Sequence, residues 1–358
     1  MEETEIATAR TTQSRPPHVP YPPGWMDRLT GWVDRLALPS WVVYLIPAVA
    51  LFALITAIKW WDGTNPVGVF IPAFALPGVV TAYGLALVHY LDRAAGGALD
   101  VALPVLNVDD EGYRRLRYEL STMPVRSTLA ASALGVLLAV AVLFVLPTSF
   151  KEETQTFTSG ASTAVEVTVF LLLWAVWGPL TYHTVRQLRQ VNHIYTERTR
   201  IDVFNLDPLY SFSWLTARTA LGWVVVPYLF VLLVPSIMAN VVSFGLFISN
   251  VLLGVVAFIW PLVGVHQLIE GAKKVRQREA DLRFDALATE LHRRADQGEF
   301  DGMDGLNEAM EAMQRERDVL EKIPTWPWRG ETINILTTAL LLPVVLWFIT
   351  RVLERFGL

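Results

Sequence analysis

Seven stretches of roughly twenty apolar residues, each free of Asp, Glu, Lys and Arg through its central part, decide most of what this chain can fold into. They fall at Trp41–Ile58, Val67–Leu91, Thr128–Leu146, Ala164–Thr184, Thr219–Ile237, Val241–Leu268 and Ile333–Arg351. At a rise of about 1.5 Å per residue, a helix of that length crosses the hydrocarbon core of a bilayer. Only 18% of the residues are charged, against about 25% in a soluble domain, so much of the surface cannot face water. The expected fold is an all-α polytopic membrane bundle of about seven transmembrane helices. Pro72, Pro77 and Gly78 inside the second stretch, and Trp260-Pro261 inside the sixth, are expected to kink their helices.

The distribution of positive charge orients this bundle. The segment before the first span carries Arg10, Arg15, Arg28 and Arg35, and the long second-to-third, fourth-to-fifth and sixth-to-seventh connections carry most of the rest. The alternate side has Lys59, Lys151, Arg351 and Arg355, so 25 of 29 basic residues fall on one face. The positive-inside rule then places the N-terminus in the cytoplasm and the C-terminus outside, in a multi-pass protein of the cell membrane. Trp41, Trp326 and Trp328 fall at inner boundaries and Trp60, Trp61 and Trp347 near outer ones, where amphipathic rings settle at headgroup level.

Residues 1–24 are polar and proline-rich, and are expected to form a disordered cytoplasmic tail. Trp25, Leu29, Trp32 and Leu36 recur at helical spacing, which predicts an amphipathic helix over 25–38, lying in the inner interface or packed beside the membrane. Asp109-Asp110-Glu111 followed by Tyr113, Leu116 and Leu120 reads as the start of another amphipathic helix. The fourth span is expected to run on through Arg186, Arg189 and His193 before breaking near Asp207-Pro208. Six spans over 41–268 would lead to a cytoplasmic helical hairpin over 269–323. Its first helix is marked by Leu282, Ala286, Leu291 and Ala295, and its second by Leu306, Met310, Met313 and Leu320. That second stripe reads as a short coiled-coil-like seam, needing either other inner helices or a second subunit to cover it. Ile323-Pro324-Thr325-Trp326-Pro327-Trp328 then makes a hinge into the last span over 324–358, splitting the seventh element in two.

Chemistry is harder to find. No span has a central acid or base, which argues against proton-coupled transport by buried carboxylates, and the last span has no lysine for a retinal Schiff base. Metalloprotease, phosphate-loop, dinucleotide and nucleophile-elbow motifs are all missing, so no enzymatic activity, cofactor or nucleic-acid partner is expected. Cysteine is absent, which removes disulfides and thiolate metal sites. His89, His183 and His266 fall at similar depth near the inner ends of spans two, four and six, with Asp92 and Glu270 one turn on; they are the weak metal-ligand candidates, interfacial histidines being the plainer reading. In the last span Asn334, Thr337 and Thr338 put polar groups on the inner half. Asn334, Thr338, Leu341 and Val345 share one face, so these five residues are candidates to line a path ending in an apolar constriction, or to glue helices together.

Seven spans, short outer loops, inner extensions of spans four to six and a cytoplasmic helix leading into span seven resemble the insect odorant and gustatory receptor-like channels. The resemblance implies a homo-oligomer with inner helices as anchor and the last span lining the pore. Where those receptors carry an aromatic-containing signature, this chain has Leu341-Leu342-Pro343-Val344-Val345-Leu346-Trp347. Asp207-Pro208-Leu209-Tyr210 and Trp326-Pro327-Trp328 also resemble features of uncharacterised prokaryotic multi-pass membrane proteins. The expected function is an oligomeric channel or channel-like receptor, with a solute transporter or a sensor signalling through the hairpin as alternatives. The lipid bilayer is the one partner that composition implies directly.

Overall fold

The computed structural model describes residues 19–145, 160–199, 202, 204–234, 241–328 and 330–356. Among them lie ten α-helices and no strand: α1 (Trp25–Val33), α2 (Ser40–Trp61), α3 (Leu76–Ala102), α4 (Asp110–Ser121), α5 (Val125–Val145), α6 (Gly160–Arg198), α7 (Tyr210–Leu233), α8 (Val241–Gln297), α9 (Met303–Lys322) and α10 (Gly330–Phe356). Six of these, α2, α3, α5, α6, α7 and α8, are long and apolar enough to cross a membrane, and the described apolar part of α10, Gly330–Leu342, is shorter. The chain is a multi-pass helical membrane protein. Trp41 and Trp61 stand exposed at the two ends of α2, about 30 Å apart at 1.5 Å per residue, which matches the hydrocarbon thickness.

Burial sorts the spans into layers. The apolar window of α5 is 17% buried and that of α2 22%, whereas that of α7 is 56% buried. Leu45, Ile46, Leu134 and Leu137 therefore point outward from the rim, and α7 runs through the middle against α3 and α8. The largest core lies where α3, α6 and α7 extend toward the basic end, around Leu91, Leu99, Tyr195, Leu209 and Phe212. Deeper in, α5 and α6 approach closely through Gly135 and Gly178. A side chain at either position would run into a backbone carbonyl of the other helix, from Trp174 or Ala131 respectively.

Several elements depart from the sequence reading. The second stretch is not one kinked span. Residues 67–71 are non-helical, Pro72 opens a short 3-10 turn, and Pro77 sits in the first turn of α3, where a missing N–H removes no hydrogen bond. Pro261 does lie inside α8, as Pro47, Pro179 and Pro227 lie inside α2, α6 and α7. The fourth span runs on to Arg198 as expected, and Asp207–Leu209 then forms the turn that opens α7, nine residues before the expected Thr219. The ends of the third and fifth stretches, Leu146 and Ile237, lie outside the described residues, as do Met1 to His18 of the tail.

The sixth span and the first helix of the expected hairpin are one element. α8 has 57 residues, about 85 Å of continuous helix. Its stripe has a different phase from the expected one: Leu282 is 63% exposed and Ala286 is exposed, while Ala280 is buried and Phe284, Leu287 and Leu291 are half-buried. The expected stripe contains a step of five, which crosses a helix face, whereas 280, 284, 287 and 291 keep the steps of four and three that one face requires. α9 folds back on α8 and packs mainly against it, with Leu320 buried and Leu306, Met310 and Met313 half-buried. Arg317 joins the two helices, 2.9 Å from Asp281 and stacked over Phe284. The seam named as an oligomer or partner interface thus faces α8 in part, with Leu306, Met310 and Met313 still half-exposed.

Candidate functional site

Where the spans reach the basic end, a polar network lies between α1, α2, α3 and α6, buried at His89 and His183 and open to the surface at Asp34 and Arg93. One turn of α3 supplies His89, Asp92 and Arg93. His89 is 4% exposed; its Nδ1 lies 3.0 Å from the Tyr44 hydroxyl of α2 and its Nε2 3.0 Å from Asp34 Oδ1, just past α1. The tautomer that satisfies both partners donates from Nε2 to the carboxylate and accepts the Tyr44 proton at Nδ1. Asp34 also pairs with Arg93. Burial works to raise Asp34, but hydrogen bonding from Arg93 and the charges of His89 and Arg93 outweigh it and hold the carboxyl below its usual range.

The second half centres on His183 of α6, which is 1% exposed and bonds through Nε2 to Asp92 Oδ1 at 2.7 Å. Asp92 lies within electrostatic reach of His89 as well, so α3 links the two halves. Asp27 of α1 completes the group. Its Oδ2 accepts the backbone N–H of Gly24 at 3.0 Å and of Met123 at 2.9 Å, tying the start of α1 to the corner between α4 and α5. Burial lifts the Asp27 carboxyl to about 6, opposed by the two N–H groups; nearby Asp92 adds to the rise and His183 reduces it.

One turn further along α6, Arg186 donates to the carbonyls of Glu119 and Thr122 at 2.6 and 2.7 Å and to the Tyr21 hydroxyl, and Gln187 donates to Leu120 O. These side chains cap the carbonyls at the end of α4, whose start is capped by Asp109 accepting from Gly112 N at 2.9 Å. Tyr21 belongs to the segment expected to be a tail. It donates to Thr122 O, and Pro23 bridges Pro124, so residues 19–24 pack on the bundle. The buried face of α1 is Met26, Thr30 and Val33 rather than the Trp25 stripe; Trp25 bonds Ser132 and Trp32 is 52% exposed. A cavity of about 290 Å³ opens beside the network, lined by Asp34, Leu38, Ser40, Trp41 and Arg93 among others.

Of the three histidines singled out in the sequence, the structure therefore brings His89 and His183 together and leaves His266 apart. His266 donates from Nδ1 to Thr325 O at 3.1 Å and stacks on Trp326 at 4.1 Å. Trp326 stacks on Trp328 at 4.3 Å, and Trp328 on Phe258 at 5.5 Å. This four-ring ladder fastens the expected hinge to α8. Among the described residues no group of three or more His, Asp or Glu side chains is arranged to hold a metal ion.

The last helix is held on one side. α10 packs on α7 through Leu336, in a cluster with Ala217, Ala220, Phe258 and Leu262, and Tyr228 donates to Ala339 O at 2.7 Å. Asn334, Thr337, Thr338, Leu341 and Val345 are all exposed on the other side. At the opposite end of the bundle, Lys59 Nζ of α2 meets Glu166 Oε1 of α6 at 2.5 Å, with the two side chains 1% and 10% exposed.

Glu166, Asp27 and Asp34 are not among the candidates that the sequence offers. The available signal was local: Asp27 stands three residues after Gly24, the spacing at which an acidic side chain reaches back to the backbone N–H that opens a helix. No protein-family model matches the chain, and no curated protein or solved structure is similar to it.

Proposed function

We propose that the chain is one subunit of a homo-oligomeric channel or channel-like receptor of the cell membrane, with its N-terminus cytoplasmic and the polar face of α10 lining a central path. The observation that carries this reading is the one-sided packing of α10. An amide and two hydroxyls turned toward lipid cost free energy that no described neighbour offsets, and a wet path between copies removes that cost. Leu341 and Val345, 54% and 50% exposed one and two turns further on, then form the constriction.

The absence of cysteine makes the test direct. Asn334→Cys, Thr338→Cys and Leu341→Cys variants, reconstituted in liposomes, are treated with a membrane-impermeant thiol reagent. The reading expects rapid modification at 334 and 338, slower modification at 341, and single-channel currents in planar bilayers that the reagent blocks. Cysteines inert to the reagent, or a monomer by mass photometry in native-lipid nanodiscs, would overturn it. Those results would favour a non-conducting sensor, a reading supported by the continuity of α8, which joins the membrane to the hairpin without a break.

A further inference from the structure

The acid–base cluster beneath α1 has no part in the channel reading, and its hydrogen bonding is incomplete in a particular way. With Asp92 ionised, the His183 proton belongs on Nε2, which faces that carboxylate. Nδ1 is then an acceptor; it is buried and no protein donor among the described residues reaches it. Asp27 is in the same condition. Its Oδ2 takes two backbone N–H groups, while Oδ1 is buried and takes none among the described residues. Two buried acceptors in one cluster thus want a donor, and a buried acceptor left unmatched is costly.

The surrounding groups are committed elsewhere. On α3, His89 serves Tyr44 and Asp34, and Arg93 serves Asp34. On α6, Arg186 serves Glu119 O, Thr122 O and Tyr21. On α4, Tyr118 donates to Tyr21 O, and from the corner before α5 the Met123 amide already serves Asp27. A proton on Asp27 Oδ1 makes a carboxylic acid, so that this buried oxygen no longer needs a donor, and lowers the negative charge beside Asp92.

We propose that Asp27, in a buried cluster with Asp92 and His183, takes up one proton on Oδ1 and so fastens α1 to the corner between α4 and α5. The sign follows from burial. The docked carboxyl of Asp27 holds its proton up to about pH 6, whereas a solvated one releases it near its ordinary value of 3.8. Docking is therefore fully favoured below about pH 4, weakens as the pH rises toward about 6, and is constant above.

Hydrogen exchange on the full chain in nanodiscs, corrected for intrinsic rates, reads this at residues 24–33. One proton allows about a tenfold loss of protection per pH unit inside that window. The wild type is expected to lose at least about tenfold between pH 4.5 and pH 7, whereas Asp27→Asn, which mimics the neutral acid, stays protected and flat. Infrared difference spectra of the wild type alone should show a protonated-carboxyl band that bleaches over the same range. This second readout holds even if a variant fails to fold. A pH profile of protection that is flat in the wild type, or the same in Asp27→Asn as in the wild type, would overturn the proposal, as would the absence of that band.

Discussion

Replacing Lys59 with methionine probes the ion pair that joins α2 to α6 at the end of the bundle away from the basic connections. The gross attraction at 2.5 Å is about 7 kcal/mol with an effective dielectric constant of about 20, and the desolvation of two charges offsets most of it. The pair itself is therefore worth little net, but half of it is expensive. Lys59→Met leaves the Glu166 carboxylate, 10% exposed, without its cation, and its Oε2 is already without a partner among the described residues. Breaking a buried pair in this way costs about 3–5 kcal/mol. Glu166→Met should also be destabilising, because it removes the carboxylate that faces the buried ammonium. The double variant should return to within about 1 kcal/mol of the wild type, because two methionines fill the space without charge. Unfolding in mixed micelles, followed by far-UV circular dichroism against the mole fraction of SDS, gives the four corners of the cycle. The reasoning predicts a coupling of at least about 2 kcal/mol, above the median of exposed pairs. Single variants that each cost under about 1 kcal/mol and simply add would refute it, and would mean that water reaches the pair.

Two further outcomes follow from contacts with equally specific geometry. Gly178→Val should cost about 3 kcal/mol, the upper end for overpacking, because the added atoms meet the Ala131 carbonyl rather than a flexible side chain; the same unfolding assay reads it. Arg186→Ala uncaps the carbonyls of Glu119 and Thr122 and should cost about 2–3 kcal/mol, raising amide exchange across α4. Arg186→Lys should recover less than half of this, because an ammonium cannot span both carbonyls as the guanidinium fork does.

What could be read in advance was whatever depends on solvent. A window of twenty residues without charge has few alternatives to spanning a bilayer, so six spans lie where hydropathy puts them, although α3 and α7 begin about nine residues from their expected starts. Asp109 and the run into Leu120 likewise announce α4, because a cap is a contact between neighbours in sequence. Phase was harder. Pro77 is a kink in the middle of a helix and harmless in its first turn, and hydropathy does not say where the helix begins. Leu282 looked like a core position because leucine is apolar, but the face of α8 at that point is set by a helix that started some forty residues earlier in the membrane. The polar network was the least visible. Asp27, Asp92 and His183 come from three helices, and nothing in the local spacing of any one reveals the other two.

The distribution of contacts has a cause that also bears on how the last helix is held. Lipid tails are as apolar as leucine, so packing leucines together at membrane depth gains little hydrophobic free energy. The spans use other means there: the close approach at Gly135 and Gly178, Ser132 donating to Ala175 O, Tyr83 donating to Gly222 O, and Trp223 donating to Thr184. Toward the basic end, where helices leave the lipid, water returns as the reference solvent and an ordinary hydrophobic core pays, which is where the largest cluster sits. α10 has little of either kind of support. At membrane depth it touches α7 through a few small and aliphatic side chains and the Tyr228 hydrogen bond. Its entry angle must therefore come from the stack of Phe258, Trp328, Trp326 and His266, and Lys273 adds to it by donating to the carbonyls of Glu321 and Ile323 where α9 ends. Both fastenings are on α8, the helix that also carries the hairpin, so one element holds α9 and the start of α10 together.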